Sequence, residues 1–484
     1  MVSQRDLGTG AAAAAASGAL FLLGTGLEPL WWAAWLAPLP VLLAAPRTAA
    51  LPAAAAAFLA WLIGECGLWA YYTDRSALEQ PVALVVGVFV ALAAVFACVV
   101  VGARALMRSG HPFAATALVP AAWVSVEYAL SGLTPNGLFL SLAYTQLDAP
   151  ALVQVAALTG PWGVTFAVLA LPAAIAAVCA PTTPARVRLR LGALAVTATV
   201  LVAGYGVVRL AAADPATGPA VGALALDQPV DAVPLDGPAG RDLLDRYAAG
   251  AARLADAGAR TVVLPEKALA VDATTLPLLA DALGGLAADR RVDVVVGVVL
   301  DRGGAAANAA LVFPADAGAP VEHRKHHLVP VLEDALVAGT GLTVVDGPGG
   351  PRGVLICKDM DYPGLVRDYR AAGARMLLVP ALDFDRDAWL HSRMAVLRGV
   401  ETGLPVVRAG RSGAVTVSDA YGRVLAEDRT TGRAEASVVT PAPLATATTP
   451  YAVLGDWWAW LCALLVAATA LTAIRRRGGK LTAA

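Results

Sequence analysis

Eight stretches of about 20 mostly apolar residues, at about 8–26, 28–45, 50–72, 81–103, 112–130, 155–180, 189–211 and 452–474, constrain the fold of this chain more than any other feature. An α-helix rises 1.5 Å per residue, so each stretch is long enough to cross a hydrocarbon layer ~30 Å thick. A hydrophobic content of 58% over 484 residues excludes a purely soluble protein. Seven stretches crowd into the first 211 residues and one lies near the end, with a long segment between them that lacks such runs. The expected organisation is a seven-span transmembrane domain at 1–211, an extracytoplasmic domain at 212–451, and an eighth span with a basic cytoplasmic tail at 452–484.

Loop charge sets the orientation. With the N-terminus in the cytoplasm, the cytoplasmic segments hold Arg5, Arg47, Arg104, Arg108, Arg186, Arg188, Arg190, Arg475, Arg476, Arg477 and Lys480, against Arg75 and Arg209 opposite. Eleven against two is a positive-inside pattern that requires an even number of spans and puts 212–451 outside a cytoplasmic (inner) membrane. The first stretch reads as an uncleaved anchor, because further spans follow it directly. A formal net charge of −1, with no basic tract outside the cytoplasmic loops, excludes nucleic acid as a partner. No metal-ligand spacing occurs, so neither a metal nor another cofactor is expected. Cys66, Cys98, Cys179 and Cys462 fall within the stretches, where cysteine is a small apolar packing residue. Cys357 stands alone in the external segment, with no partner there for a disulfide.

Between 220 and 440, short β-branched runs alternate with Ala/Leu-rich amphipathic stretches, which predicts an α/β domain. Strands are expected at 220–226, 261–264, 293–299, 309–313, 342–345, 353–357, 375–379, 405–409 and 414–418, and helices at 239–257, 274–289, 363–372 and 386–402. Charge and thiol chemistry cluster where these strands end. Arginine outnumbers lysine 32 to 4, yet Lys267, Lys325 and Lys358 all lie in short polar motifs: LPEKAL at 264–269, HRKHHLVPVLED at 323–334 and LICKDMDYP at 355–363. Cys357 at the carboxyl end of a buried-type strand suits a nucleophile. A thiol needs a base, for which Glu266 is the candidate, and an acyl transition state needs donors and positive charge, which Lys325 supplies. Lys358, next to the thiol, is expected to depress its pKa.

These motifs resemble the Glu–Lys–Cys triad of the nitrilase superfamily, and more closely its membrane branch, the apolipoprotein N-acyltransferases. LPEKAL is similar to that family's Pro-Glu base motif. HRKHHLVPVLE resembles its Lys-x-His-Leu-Val-Pro segment, with Glu333 eight residues after Lys325. The stretch 393–427 and TPYAVLGDWWAWLCALL at 449–465 resemble the segments that follow the family's nucleophile and begin its last span. The resemblance implies an α-β-β-α nitrilase-like sandwich beside a multi-span α-helical domain. It also implies catalytic Glu266, Lys325 and Cys357, a membrane phospholipid as acyl donor, and the N-terminal amine of a diacylglyceryl-cysteine lipoprotein as acceptor. Glu333 would orient Lys325 or gate the pocket, the backbone N–H of Lys358 would face the oxyanion, and Asp359 would support the nucleophile turn. The loop 131–150 is similar to a family substrate loop, which makes Asn136 and Gln146 candidates. Cys357-Lys358-Asp359 departs from the family's Cys-Tyr-Glu, and CKDMDYP is nearer to soluble amidases. A membrane-tethered amidase, an N-acyltransferase acting on another amine, and a non-enzymatic scaffold therefore stay open.

Overall fold

The apolar stretches build helices because a backbone without water must satisfy its own hydrogen bonds. The computed structural model describes residues 3–74, 78–213 and 217–481, with side chains to Thr472. Arg75 and the side chains of Arg475, Arg476, Arg477 and Lys480 lie outside the described residues. The chain forms two compact units, a helical one (1–132, 140–208 and 456–484) and an α/β one (133–139 and 209–455).

Among the described residues, six helices are long and apolar enough to cross a membrane: Gln4–Gly24, Ala50–Thr73, Val82–Arg108, Pro112–Leu133, Pro161–Cys179 and Ala185–Ala211. The expected span at 28–45 differs, forming the short helices Trp31–Leu36 and Leu39–Ala44. Pro38 and Pro40 lack amide N–H groups and interrupt the helical ladder there. The last stretch forms Trp457–Leu481, whose apolar part is Trp457–Thr472. The alanine runs allow close helix packing, the usual device where no hydrophobic force draws helices together. Ala13, Ala14, Ala53, Ala56 and Ala57 are all buried. At Gly64, an added Cβ would come within 2.7 Å of Phe21 Cβ.

Glu127, buried in this unit, accepts four hydrogen bonds. They come from Trp123 Nε1 (3.2 Å), Leu142 N (2.9 Å), Ser141 Oγ (2.8 Å) and Thr165 Oγ1 (2.8 Å). The carboxylate thereby pins the 3₁₀ segment Leu142–Gln146.

The α/β unit has fourteen described strands: β1 Ala220–Leu226, β2 Val233–Pro234, β3 Thr261–Val263, β4 Leu269–Val271, β5 Asp293–Asp301, β6 Ala306–Phe313, β7 Val321–Arg324, β8 Thr343–Val345, β9 Arg352–Val354, β10 Leu377–Leu382, β11 Val406–Arg411, β12 Ala414–Ser418, β13 Val424–Arg429 and β14 Glu435–Pro441. One sheet runs β14-β1-β3-β5-β4-β2, with β6 on the other edge of β5 and β7 beyond it. The second runs β13-β12-β11-β10-β9-β8. Side-chain alternation sets the layers. Val221, Ala223 and Ala225 of β1 join Val263 and Val295 in packing against Leu378, Val407 and Val415 of the second sheet and against Ile356 just after β9. Leu224 and Leu226 face outward to Leu243, Leu244 and Tyr247 of helix α1 (Pro238–Asp256). On the far side, Leu377, Val379 and Val406 pack on Val366 and Tyr369 of α2 (Pro363–Ala371) and Ala395 of α3 (Ala388–Thr402). Helix, sheet, sheet and helix form an α-β-β-α sandwich.

One irregularity matters for the site. β3 and β4 pair with the same edge of β5, ending at Val263↔Val295 and resuming at Leu269↔Val298. Five residues, 264–268, thus stand opposite two, 296 and 297, and the surplus lifts Glu266 out of the sheet. Gly297 makes room for it: an added Cβ would lie 2.5 Å from Glu266 Cα and 2.6 Å from Pro265 O. Because both obstacles are backbone, Gly297→Ala should destabilise this unit by about 1–3 kcal/mol. A lowered unfolding temperature would show it, and an unchanged one would mean that the bulge yields freely.

Candidate active site

The bulge places Glu266, 1% exposed, against residues from three other segments. Its Oε1 accepts from Lys325 Nζ (2.7 Å) and from Asn308 Nδ2 of β6 (2.6 Å). Lys325 follows β7, and its amide continues the pairing by donating to Asn308 O at 2.9 Å. Its ammonium also donates to Glu333 Oε2 (2.8 Å), while Asn308 Nδ2 reaches Glu333 Oε1 (2.7 Å) and Lys267 Nζ lies 3.3 Å from that same oxygen. Two carboxylates and two ammonium groups are therefore matched in a buried cluster. Buried Arg411 of β11 fastens the bulge from behind, donating to Glu266 O (3.0 Å) and Lys267 O (3.2 Å).

Two oxygens of the cluster, Glu266 Oε2 and Asn308 Oδ1, are buried and have no hydrogen-bond partner among the described residues. A buried acceptor left unmade is costly, and of the two only the Glu266 carboxylate can take up a proton.

Cys357 begins the 3₁₀ turn Cys357–Asp361 with φ +43°, a left-handed conformation that only strong surroundings hold for a non-glycine residue. Cys357 is half-buried as a residue, and its thiol donates to Leu382 O at 3.4 Å. Burial pushes its pKa well up and the Glu266 carboxylate adds to this, whereas Lys325 and Arg408 pull it down. Burial also opposes the charge on Lys325, but Glu266, Cys357 and Glu333 together hold its pKa above the usual lysine value. For Glu333 burial works upward, yet Lys325 and Lys267 hold its carboxyl down to about 2.

A depressed folded-state pKa contributes stability that is complete above the ordinary value of 4.5 and is lost as pH falls toward about 2. The protein should lose stability across that window, and Glu333→Gln should flatten the slope. Superposable acid-unfolding curves for the two proteins would remove Glu333 from the account.

Asp359 proves to be a strap. Fully buried, its Oδ1 accepts from His327 N (2.9 Å) and His326 N (3.2 Å), and its Oδ2 from Ile356 N (3.1 Å). It ties the segment after Lys325 to the turn that carries Cys357. Despite burial, its contacts with His323 and His327 hold its pKa below the carboxylate range.

Lys358 corrects the sequence reading. Its ammonium turns to Asp361, 3.7 Å away, and the cations that act most on the thiol are Lys325 and Arg408. Its backbone N–H, second in a short helical turn, is among those such a turn leaves without an internal partner.

Of the two loop candidates, Asn136 belongs to the α/β unit. Its neighbours pack on the residues after Cys357: Leu138 N donates to Asp361 O (2.9 Å) and Tyr362 Oη to Pro135 O (2.7 Å). The Asn136 side chain itself is exposed. Gln146 belongs to the helical unit and is wholly buried. It accepts from Trp35 Nε1 (2.6 Å) and donates to Trp31 O (3.1 Å), so its amide is consumed in holding the broken helix pair.

Sequence reading missed Asn308, Arg411 and the group around Asp383. The Asp383 carboxylate is gripped by both terminal nitrogens of Arg408, one at 2.8 Å, and His391 Nδ1 lies 3.4 Å from Asp383 and from Asp387. These three residues have the arrangement of a metal cluster. Burial opposes the imidazolium, but Asp387 and Asp383 raise His391 to about 10. Two carboxylates thus face an imidazolium and a guanidinium, a balanced ion-pair network that does not fit a cation.

Glu266, Lys325 and Arg408 thus all act electrostatically on the Cys357 thiol. Residues 220–441 match the carbon-nitrogen hydrolase family and residues 17–174 the apolipoprotein N-acyltransferase N-terminal domain. The apolipoprotein N-acyltransferase of Geobacter metallireducens is 26% identical over 95% of this chain and 94% of its own. That of Bradyrhizobium diazoefficiens is 28% identical over 76% and 73%. Among solved structures, an amidase from Nesterenkonia sp. AN1 is 22% identical, with a TM-score of 0.40 over 46% of this chain and 93% of that one. The chain belongs to the apolipoprotein N-acyltransferase family, a membrane branch of acyltransferases within the carbon-nitrogen hydrolase (nitrilase) superfamily.

Proposed function

We propose that this protein moves a fatty acyl chain from a membrane phospholipid, through a thioester on Cys357, to the N-terminal amine of a diacylglyceryl-cysteine lipoprotein, on the external face of the cytoplasmic membrane. The observation that carries the reading is the buried Oε2 of Glu266, which has no hydrogen-bond partner among the described residues and belongs to a cluster whose charges act on the Cys357 thiol.

Because burial and Glu266 favour the protonated thiol, the thiolate forms only as its proton passes to Glu266. Sulfur attacks the glycerol ester carbonyl, and Lys325 with the Lys358 N–H stabilises the oxyanion. The glycerol oxygen leaves with the proton held by Glu266, giving a lysophospholipid and an acyl thioester. Glu266 next takes a proton from the incoming amine, nitrogen attacks the thioester, and the proton returns to the departing thiolate. Glu333, through its bond to Lys325, positions that ammonium. Asp359 holds the Cys357 turn.

Incubation of the purified protein with phospholipid labelled in its acyl chain tests this. A hydroxylamine-sensitive acyl-enzyme that passes its label to a diacylglyceryl-cysteine peptide is expected. Release of free fatty acid alone would favour a hydrolase, and no acyl-enzyme at all would overturn the reading. Orientation is tested separately. Alkaline phosphatase fused near residue 300 should be active and a fusion after Lys480 inactive, and the reverse pattern would separate the site from external lipoproteins.

A further inference from the structure

A cleft of about 390 Å³ opens within the helical unit, and none of its lining residues belongs to the α/β unit. One wall is Pro161–Cys179 and another Ala185–Ala211. The latter is buried only at Leu191 and Gly206. Gly206 lies against Ala151, whose carbonyl oxygen would be 1.7 Å from an added Cβ. This helix is therefore pinned near its two ends and bridges a gap between them. The lining runs from Gly163 to Ala174 on one wall and from Leu191 to Val202 on the other. At 1.5 Å per residue, each wall is ~16 Å long, about half the ~30 Å hydrocarbon core and so the depth of one leaflet.

The lining is almost entirely hydrocarbon. The hydroxyls of Thr116, Thr159 and Thr199 donate to the carbonyls of Pro112, Val155 and Ala195 at 2.9–3.0 Å, and Trp35 Nε1 donates to Gln146. Trp458 differs. Its Nε1 is buried and has no hydrogen-bond partner among the described residues. It stands near the start of Pro161–Cys179, edge-on to Phe166 at 5.3 Å, beside the part-exposed Trp457 and Trp460. Tryptophan in such a position marks the membrane–water interface. The cleft thus offers one donor at its interfacial end and hydrocarbon along the depth of a leaflet.

We propose that the cleft binds a single ester-linked glycerolipid of the bilayer. One acyl chain fills the gap under Ala185–Ala211, and its ester carbonyl accepts the Trp458 N–H. A helix from a second copy does not fit: 10–12 Å across and ~16 Å long, it would occupy roughly 1,300–1,800 Å³, more than the space between atoms in the whole cleft, about 1180 Å³. This site does not depend on the reaction proposed for Cys357.

Full-length protein in phosphatidylcholine nanodiscs, doped with phosphatidylcholine carrying a diazirine in one acyl chain, is photolysed and its cross-linked peptides mapped. Label should concentrate on 166–174 and 191–202. Ala195→Trp, which fills the cleft, should lower it at least ten-fold, and Trp458→Phe about five-fold, the worth of one neutral hydrogen bond. Val200→Trp, on an exposed face outside the lining, should change nothing. An ether-linked probe without the carbonyl should label native and Trp458→Phe proteins alike. Ala195→Leu, a smaller filling residue, together with native rates of Cys357 alkylation, guards against misfolding. Equal labelling of native and Ala195→Trp proteins would show only surrounding lipid and overturn the proposal, as would cross-links between two copies at these segments.

Discussion

Replacing Cys357 with alanine or serine will abolish acyl-enzyme formation, with turnover falling on the order of 10⁴-fold or more, the scale on which removal of a nucleophile acts. Membrane insertion should be unaffected, because Cys357 lies in the α/β unit and not in an apolar helix. The serine variant tests more than the loss of sulfur. A serine hydroxyl holds its proton more tightly than a thiol, and Glu266 must accept that proton in surroundings where burial already resists ionisation at residue 357. Mass spectrometry after exposure to phospholipid reads the result directly. An undiminished acyl adduct on the Cys357→Ala protein would end the account.

Glu266→Gln should lower turnover by about 10²–10⁴-fold, since the amide keeps the shape of the side chain but cannot take a proton. It should also leave Lys325 with Glu333 as its one remaining anionic hydrogen-bond partner. Lys325→Arg should fail comparably although it keeps the charge. The ammonium donates to Glu266 and Glu333 from a single point, at 2.7 and 2.8 Å, in a site with 1% exposure, and a planar guanidinium cannot occupy that point. Measuring the acylation and transfer half-reactions separately shows whether both need Glu266. Retention of either half-reaction at the native rate in Glu266→Gln would mean that another group moves that proton.

Much of this architecture is legible in the chain itself. Apolar runs of sufficient length specify membrane helices because hydrocarbon leaves a backbone no other partner, and six appear as long helices. Buried strands announce themselves by β-branched residues, as in β5 (DVVVGVVLD) and β11 (VVRAGR), or by short aliphatic runs, as in β1 (AVGALAL) and β10 (LLVPAL). The motifs LPEKAL and HRKHHLVPVLED bring Glu266 and Lys325 into contact, and both act electrostatically on Cys357 of LICKDMDYP. The strands that escaped notice, β2, β4, β7, β13 and β14, are short or lie at partly exposed edges, where polar residues such as those of VEHR and VLAEDR erase the apolar signal.

Other features were decided only by tertiary structure. Asn308 sits in a strand of alanines and leucines and carries no motif, yet it bridges Glu266 and Glu333 because β6 lies beside β5. Arg411 looks like one arginine among many until its guanidinium is seen to fasten the Glu266 bulge. The direction of Lys358 toward Asp361, and the consumption of Gln146 by Trp31 and Trp35, depend on neighbours far away in the chain or on the pitch of a single turn. A sequence specifies which groups are apolar, charged or conformationally restricted. Which of them meet, and which oxygen of a buried carboxylate stays open, depends on register and packing between segments that the sequence does not place side by side.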